Sequence, residues 1–97
     1  MVIYVDIDET ICNNEESRNY VNAVPILANI KKINKLYQQG HEVVYWTARG
    51  ATTGIDWGEV TEKQLQTWGA QYSRLEIGNK PYFDLLIDDK AFNIDSL

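Results

Sequence analysis

Val2-Ile3-Tyr4-Val5-Asp6-Ile7-Asp8-Glu9-Thr10 is an apolar run that stops on two carboxylates one residue apart. Four β-compatible residues in succession, with almost no polar interruption, predict a strand buried on both faces, as in parallel α/β sheets. The carboxylates then fall at its C-terminal end. Ligands bind at that edge of an open α/β sheet, so Asp6 and Asp8 mark a site before any chemistry is invoked. Alternate residues of a strand face one side, which lets the two acids converge. Two close carboxylates raise each other's pKa unless a cation shares the site, so the chain must supply a positive partner. The plainer reading is that acids end strands because they favour turns. The rest of the chain decides between the two.

Ninety-seven residues make one domain, with room for one core and no separate lid. An apolar content of 44% beside 24% charged residues fits a globular chain and not a disordered one. The net charge of −5, with no basic run, speaks against a nucleic-acid surface. An acidic protein that handles an anion needs local positive charge, which a metal ion supplies. No apolar segment approaches membrane-spanning length, and the N-terminus lacks a secretory pattern. With the single Cys12, which has no internal disulfide partner, this makes a cytoplasmic, membrane-free protein the expectation.

Residues 11–20 are polar and aperiodic and read as a loop or small hairpin over the first strand's end. Val24-Pro25 then opens a helix, with Pro25 in the first turn. Ile26, Leu27, Ile30, Ile33, Leu36 and Tyr37 recur at helical spacing, and Gly40 fits the position past the helix end. Lys31, Lys32 and Lys35 read as its solvated face. Glu42-Val43-Val44-Tyr45-Trp46 is a second buried strand, parallel to the first through a right-handed crossover, so Thr47 shares the sheet edge of Asp6. His41 begins that strand, about 16 Å from this edge at strand rise, and is discarded as a catalyst. Asp56-Trp57-Gly58-Glu59 has capping-box spacing before a second helix through Val60, Leu65 and Trp68 to about Gly69. Leu75-Glu76-Ile77 reads as a short strand and Leu85-Leu86-Ile87 as a last buried one, ending on Asp88-Asp89. The stretch from Lys90 to Leu97 carries no clear signal.

Strand ends thus carry Asp6 and Asp8, then Thr47, then Asp88 and Asp89, with Lys80 shortly before the last pair. This ordered set resembles the phosphatase branch of the haloacid dehalogenase superfamily, with its Asp-x-Asp-x-Thr, strand-ending Thr or Ser, Lys and strand-ending Asp pair. The resemblance spans nearly the whole chain. It implies a Rossmann-like three-layer α/β/α fold with a mostly parallel sheet and no cap domain. It also implies a magnesium-dependent phosphomonoesterase. Asp6 would be the nucleophile that forms an aspartyl-phosphate, and Asp8 the general acid and then base. Thr47 would bind the phosphoryl group and Lys80 would hold it beside Asp6, with Lys90 a close rival. Asp6, the carbonyl of Asp8, and Asp88 would hold Mg2+, with Asp89 a further ligand. Thr10 completes the first motif and would face the substrate, as would Arg49, close after Thr47.

The chemistry is coherent on physical grounds. A carboxylate nucleophile splits ester hydrolysis into two easier steps, but it is an anion attacking an anion. Magnesium offsets that repulsion. To act as an acid near neutral pH, Asp8 needs a raised pKa, which its anionic neighbours would provide. A closer likeness, carried by Ala23-Val24-Pro25-Ile26-Leu27, Thr47-Ala48-Arg49, Lys80-Pro81-Tyr82-Phe83-Asp84 and Asp88-Asp89-Lys90-Ala91, is to short phosphatases of bacterial capsule polysaccharide biosynthesis. That likeness implies a small-molecule phosphate ester as partner, a sugar phosphate first. Selectivity would then come from residues 12–22 and 51–57. A shallow capless site also invites closure by a second copy, so a homo-oligomer is among the expectations.

Three other chemistries share parts of this pattern. Cys12 and Arg18 match the spacing of a Cys-x5-Arg phosphatase loop, but its interior holds Glu15 and Glu16 and no glycine, a poor cradle for a dianion. A phospho-acceptor signalling domain needs an acceptor Asp after a middle strand; Asp56 alone is at the right distance, and no buried strand precedes it. A non-catalytic phosphate- or metal-binding module would keep the same charged groups without turnover.

Overall fold

The computed structural model of the chain describes residues 1–15, 19–50, 54–78, 85–88 and 92–97, with Asp88 and Phe92 as backbone only. In chain order the elements are β1 (Val2–Asp6), β2 (Cys12–Asn13), a 3-10 turn (Tyr20–Asn22), β3 (Val24–Pro25), α1 (Leu27–Gln38), β4 (Glu42–Thr47), α2 (Gly58–Thr67), β5 (Arg74–Ile77), β6 (Leu85–Asp88), β7 (Phe92–Asn93) and a 3-10 turn (Ile94–Ser96). The main sheet has the order β5-β4-β1-β6-β7, and every neighbouring pair in it is parallel. This is a small Rossmann-like α/β domain. Among the described residues no helix is long and apolar enough to cross a membrane.

The position of β1 explains its composition. With β4 on one side and β6 on the other, it has no free edge, and Ile3, Tyr4 and Val5 are all buried. Ile3, Val5 and Ile7 belong to one core cluster with Val43 and Tyr45 of β4, Ile30 and Ile33 of α1, and Leu65 of α2. Fully burying each such aliphatic side chain contributes roughly 1.5–3 kcal/mol. Both crossovers step in the same direction, from β1 to β4 to β5, so two right-handed connections put α1 and α2 on one face of the sheet. Among the described residues this gives two of the three expected layers. The opposite face carries the register row Arg74, Val44, Tyr4 and Leu86. There the Arg74 guanidinium donates to Glu42, Glu76 and the Tyr4 hydroxyl.

Both helices end as their sequences predict. After α1, Gly40 takes a φ of 96°, its N–H donates to the Tyr37 carbonyl and that of His41 to Leu36. After α2, Gly69 takes a φ of 74°, with Gly69 donating to Gln66 and Ala70 to Leu65. These are Schellman closures, which need the left-handed conformation glycine adopts without strain.

The start of α1 differs from its expectation. Pro25 lies in β3, paired antiparallel with Cys12 of β2, and the helix begins at Leu27. A proline has no N–H to give and suits a short edge strand. The Ile26 N–H is drawn to the Ile11 carbonyl at 2.8 Å, which holds this stretch extended. The polar segment after β1 is therefore anchored as a two-stranded ribbon, with Ile11 and Cys12 buried in the core. Asn29, on the buried side of α1, donates to the Thr10 carbonyl at 2.9 Å and fixes the helix to the same turn. At α2 the capping box is partial: Asp56 accepts from the Gly58 N–H at 2.9 Å, while Trp57 takes the cap position without a side-chain bond.

Candidate active site

Register places the functional residues. Asp6 is the last residue of β1 and pairs with Trp46, one step before Thr47 at the end of β4. On the other side Val5 pairs with Ile87, one step before Asp88 at the end of β6. Thr47, Asp6 and Asp88 thus lie on three adjacent strands at one C-terminal edge, as the sequence order predicts. His41 precedes β4 at its opposite end.

Beyond Asp6 the chain turns at once. The Ile7 N–H still donates to Trp46, and the N–H groups of Thr10 and Ile11 both return to the Ile7 carbonyl. Glu9 takes a φ of 65° at the apex. Such a conformation in a non-glycine residue costs on the order of 1 kcal/mol or more and needs support from its surroundings. Here the support comes from the Glu9 N–H donating to the Cys12 carbonyl and from buried Ile7, Ile11 and Cys12.

The turn aims Asp8 at the end of β4. Oδ2 of Asp8 accepts from Thr47 Oγ1 at 2.9 Å. Oδ1 accepts from Asn14 Nδ2 at 2.9 Å and from Arg49 Nη2 at 2.8 Å, while Arg49 Nε bridges both oxygens at 3.1 and 3.2 Å. Arg49 is only 2% exposed. Its Nη1 donates to Thr61 Oγ1 at 3.0 Å and Gln64 Oε1 at 2.6 Å, both on α2. The Tyr20 ring lies 4.6 Å from its guanidinium carbon, and Trp57 meets Tyr20 edge-on at 5.1 Å.

This geometry reverses one expectation. Burial pushes the Asp8 carboxyl upward, but the hydrogen bonds and charge of Arg49, with those of Asn14 and Thr47, outweigh it and hold Asp8 below its usual value. The positive partner that the paired acids require is, for Asp8, an arginine 41 residues further along the chain. Arg49 faces inward to Asp8 and α2, where the sequence suggested a substrate contact. Thr10 is also buried, and its Oγ1 has no hydrogen-bond partner among the described residues. Lys80 and Asp89, like Arg18 and Lys90, lie outside the described residues.

Thr61, Gln64, Asn14 and Tyr20 are site neighbours that sequence reasoning passed over. Thr61 carried a usable signal: it lies one turn before Leu65 on the inner stripe of α2, where a hydroxyl implies a polar partner inside. Among the described residues no three His, Cys, Asp or Glu side chains gather as a metal centre. The donor chemistry at the edge nevertheless fits magnesium, a hard cation that takes oxygen ligands. Asp6 supplies a carboxylate there. Asp8, with its carboxylate held by Arg49, has its main-chain carbonyl to offer.

Cys12 is fully buried, and burial, aided by the negative charge of Asp8, pushes its thiol up to about 12. A thiolate nucleophile is thus disfavoured at this position. Thiol-specific labelling at neutral pH is expected to be slow in the native protein and complete within the mixing time in denaturant. Fast native labelling would contradict this burial.

The fold and edge define a Rossmann-like α/β domain, without a cap among the described residues, whose central strand ends on an acid. The chain is similar to a Vibrio cholerae protein of known crystal structure, with 26% identity and a TM-score of 0.74, covering 99% of this chain and 86% of that one. No family model and no curated protein matches it.

Proposed function

We propose that this chain is a capless phosphatase of the haloacid dehalogenase type, hydrolysing a small phosphomonoester, such as a sugar phosphate, through an aspartyl-phosphate on Asp6 with magnesium as cofactor. The observation that carries this reading is the alignment of Thr47, Asp6 and Asp88 at the ends of three adjacent parallel strands. Asp6, the Asp8 carbonyl and Asp88 would hold the ion, joined by Asp89 as the family resemblance implies. A bound magnesium ion would offset the repulsion between the Asp6 carboxylate and the phosphoryl oxygens.

In the first half-reaction an Asp6 carboxylate oxygen bonds to phosphorus, and the bond from phosphorus to the ester oxygen breaks with its electron pair leaving on that oxygen. In the second, water bonds to phosphorus, the Asp6–phosphorus bond breaks and Asp8 takes the water's proton. An ionised, oriented Asp8 suits this second role. Its resting state is less suited to protonating the ester oxygen, which the basic alkoxide of a sugar phosphate demands and an aryl ester does not, so with a sugar phosphate Asp8 must take up a proton before the first step. Thr47, whose hydroxyl donates to Asp8 in the resting state, has one proton and redirects it to the phosphoryl group when substrate binds.

The test is phosphate release from aryl phosphates, alkyl phosphates and sugar phosphates, with and without magnesium. Release that needs magnesium, stops on chelation and is faster for aryl than for alkyl esters is expected. Activity unaffected by chelation would overturn the proposal. The hold of Arg49 on Asp8 favours one other reading, a domain that accepts or binds phosphate without turnover. Trapping by beryllium fluoride in the absence of any hydrolysis would select it.

A further inference from the structure

We infer that Arg49 is a positioning residue, which acts on the reaction through Asp8 and not by contact with substrate; this rests on the phosphatase reading above. Its side-chain nitrogens are all spent internally, on Asp8, Thr61, Gln64 and, at 3.8 Å, the Cys12 sulfur. At 2% exposure it presents no free donor to an incoming phosphate. The planar fork of a guanidinium fixes the plane of a carboxylate, which a lysine ammonium does not. Here it turns one Asp8 oxygen to Thr47 and the other inward.

A buried ion pair is an expensive way to fill space, since well-packed apolar residues often stabilise as much. Its value at this edge lies in orientation. Gln64 extends the same network outward: its Oε1 accepts from Arg49 while its Nε2 donates to the Tyr20 carbonyl at 2.5 Å. One side chain therefore ties α2 and the turn at Tyr20–Asn22 to the carboxylate that would activate water.

The experiment is pre-steady-state hydrolysis of an aryl phosphate with magnesium, in the wild type, Arg49→Lys and the double variant Thr61→Val/Gln64→Leu. Attack by Asp6 on an aryl ester needs little help from an acid, whereas hydrolysis of the aspartyl-phosphate needs Asp8 in place. Arg49→Lys is therefore expected to release a burst of about one equivalent of phenol per enzyme, then turn over slowly. Its kcat should fall about 100-fold, the scale of a 1 Å misplacement, and KM should fall with it, leaving kcat/KM little changed because the attack by Asp6 is untouched. The double variant keeps the ion pair, guards against loss of fold in Arg49→Lys, and should show the burst with a fall of about 10-fold. A raised KM at unchanged kcat would make Arg49 a substrate contact and overturn the inference. So would a slower rate without a burst, or unchanged kinetics in both variants. A wild type that hydrolyses nothing would instead overturn the phosphatase reading and, with it, the role given to Arg49.

Discussion

Asp6→Asn is expected to abolish phosphate release while leaving the protein folded. Asparagine matches aspartate in shape but offers a neutral amide where the proposal needs an anionic oxygen to bond to phosphorus. Loss of a covalent nucleophile removes most of an enzyme's rate, so kcat should fall by at least about three orders of magnitude. The fold has little reason to respond. The Asp6 backbone keeps its parallel pairing with Trp46, and the core of β1 is built from Ile3 and Val5. Circular dichroism and thermal unfolding should therefore match the wild type in magnesium-free buffer. Turnover retained in this variant would place the nucleophile elsewhere, and Cys12, buried with its thiol pushed up to about 12, is a poor substitute.

The parts of the fold legible in the sequence are those whose signal is local. Val2 to Val5 and Val43 to Trp46 are continuous apolar runs, and both lie in inner strands of the sheet. The 3.6-residue spacing of Ile26, Ile30 and Ile33 with Gly40 beyond it gave α1 and its end. The two-residue strands β2, β3 and β7 have no periodicity to read, because a pair of residues becomes a strand only through its neighbour. Pro25 was misplaced for that reason: the Ile11 carbonyl that holds Ile26 extended is 15 positions away. At the site, the types and order of Asp6, Asp8, Thr47 and Asp88 were readable, since each ends an apolar run. The partner of Asp8 was not. Arg49 lies two residues beyond Thr47 and its guanidinium could turn either out to substrate or in to Asp8. Thr61 and Gln64, on α2 further along the chain, accept from it and hold it inward. The raised pKa expected for Asp8 failed on the same point, because its nearest charge in space is a cation and its nearest in sequence is an anion.

That pairing leads to the largest effect expected on stability. Arg49→Met removes the cation and leaves Asp8 with its side chain only 16% exposed. Breaking one side of a buried pair costs about 3–5 kcal/mol at neutral pH, a large share of a small domain's total stability. The pH dependence should also change sign. In the wild type, Asp8 is held below the unfolded value of 3.8. Its contribution is present above that value and is lost as pH falls through the lower folded one. In Arg49→Met the desolvation that Arg49 outweighed dominates, and the folded carboxyl moves above 3.8. Asp8 then binds its proton more readily folded than unfolded, so the penalty is full at neutral pH and shrinks as pH falls through that raised value. Urea unfolding of both proteins without magnesium, at neutral and mildly acidic pH, should show the gap between them narrowing with acid. A constant gap would mean that Asp8 does not carry the effect. The double variant Asp8→Leu/Arg49→Met removes both charges, and an apolar pair of similar volume is expected to recover most of the loss. Such a protein would be stable and inactive, separating what the pair contributes to the fold from what it contributes to the chemistry at the edge of β1.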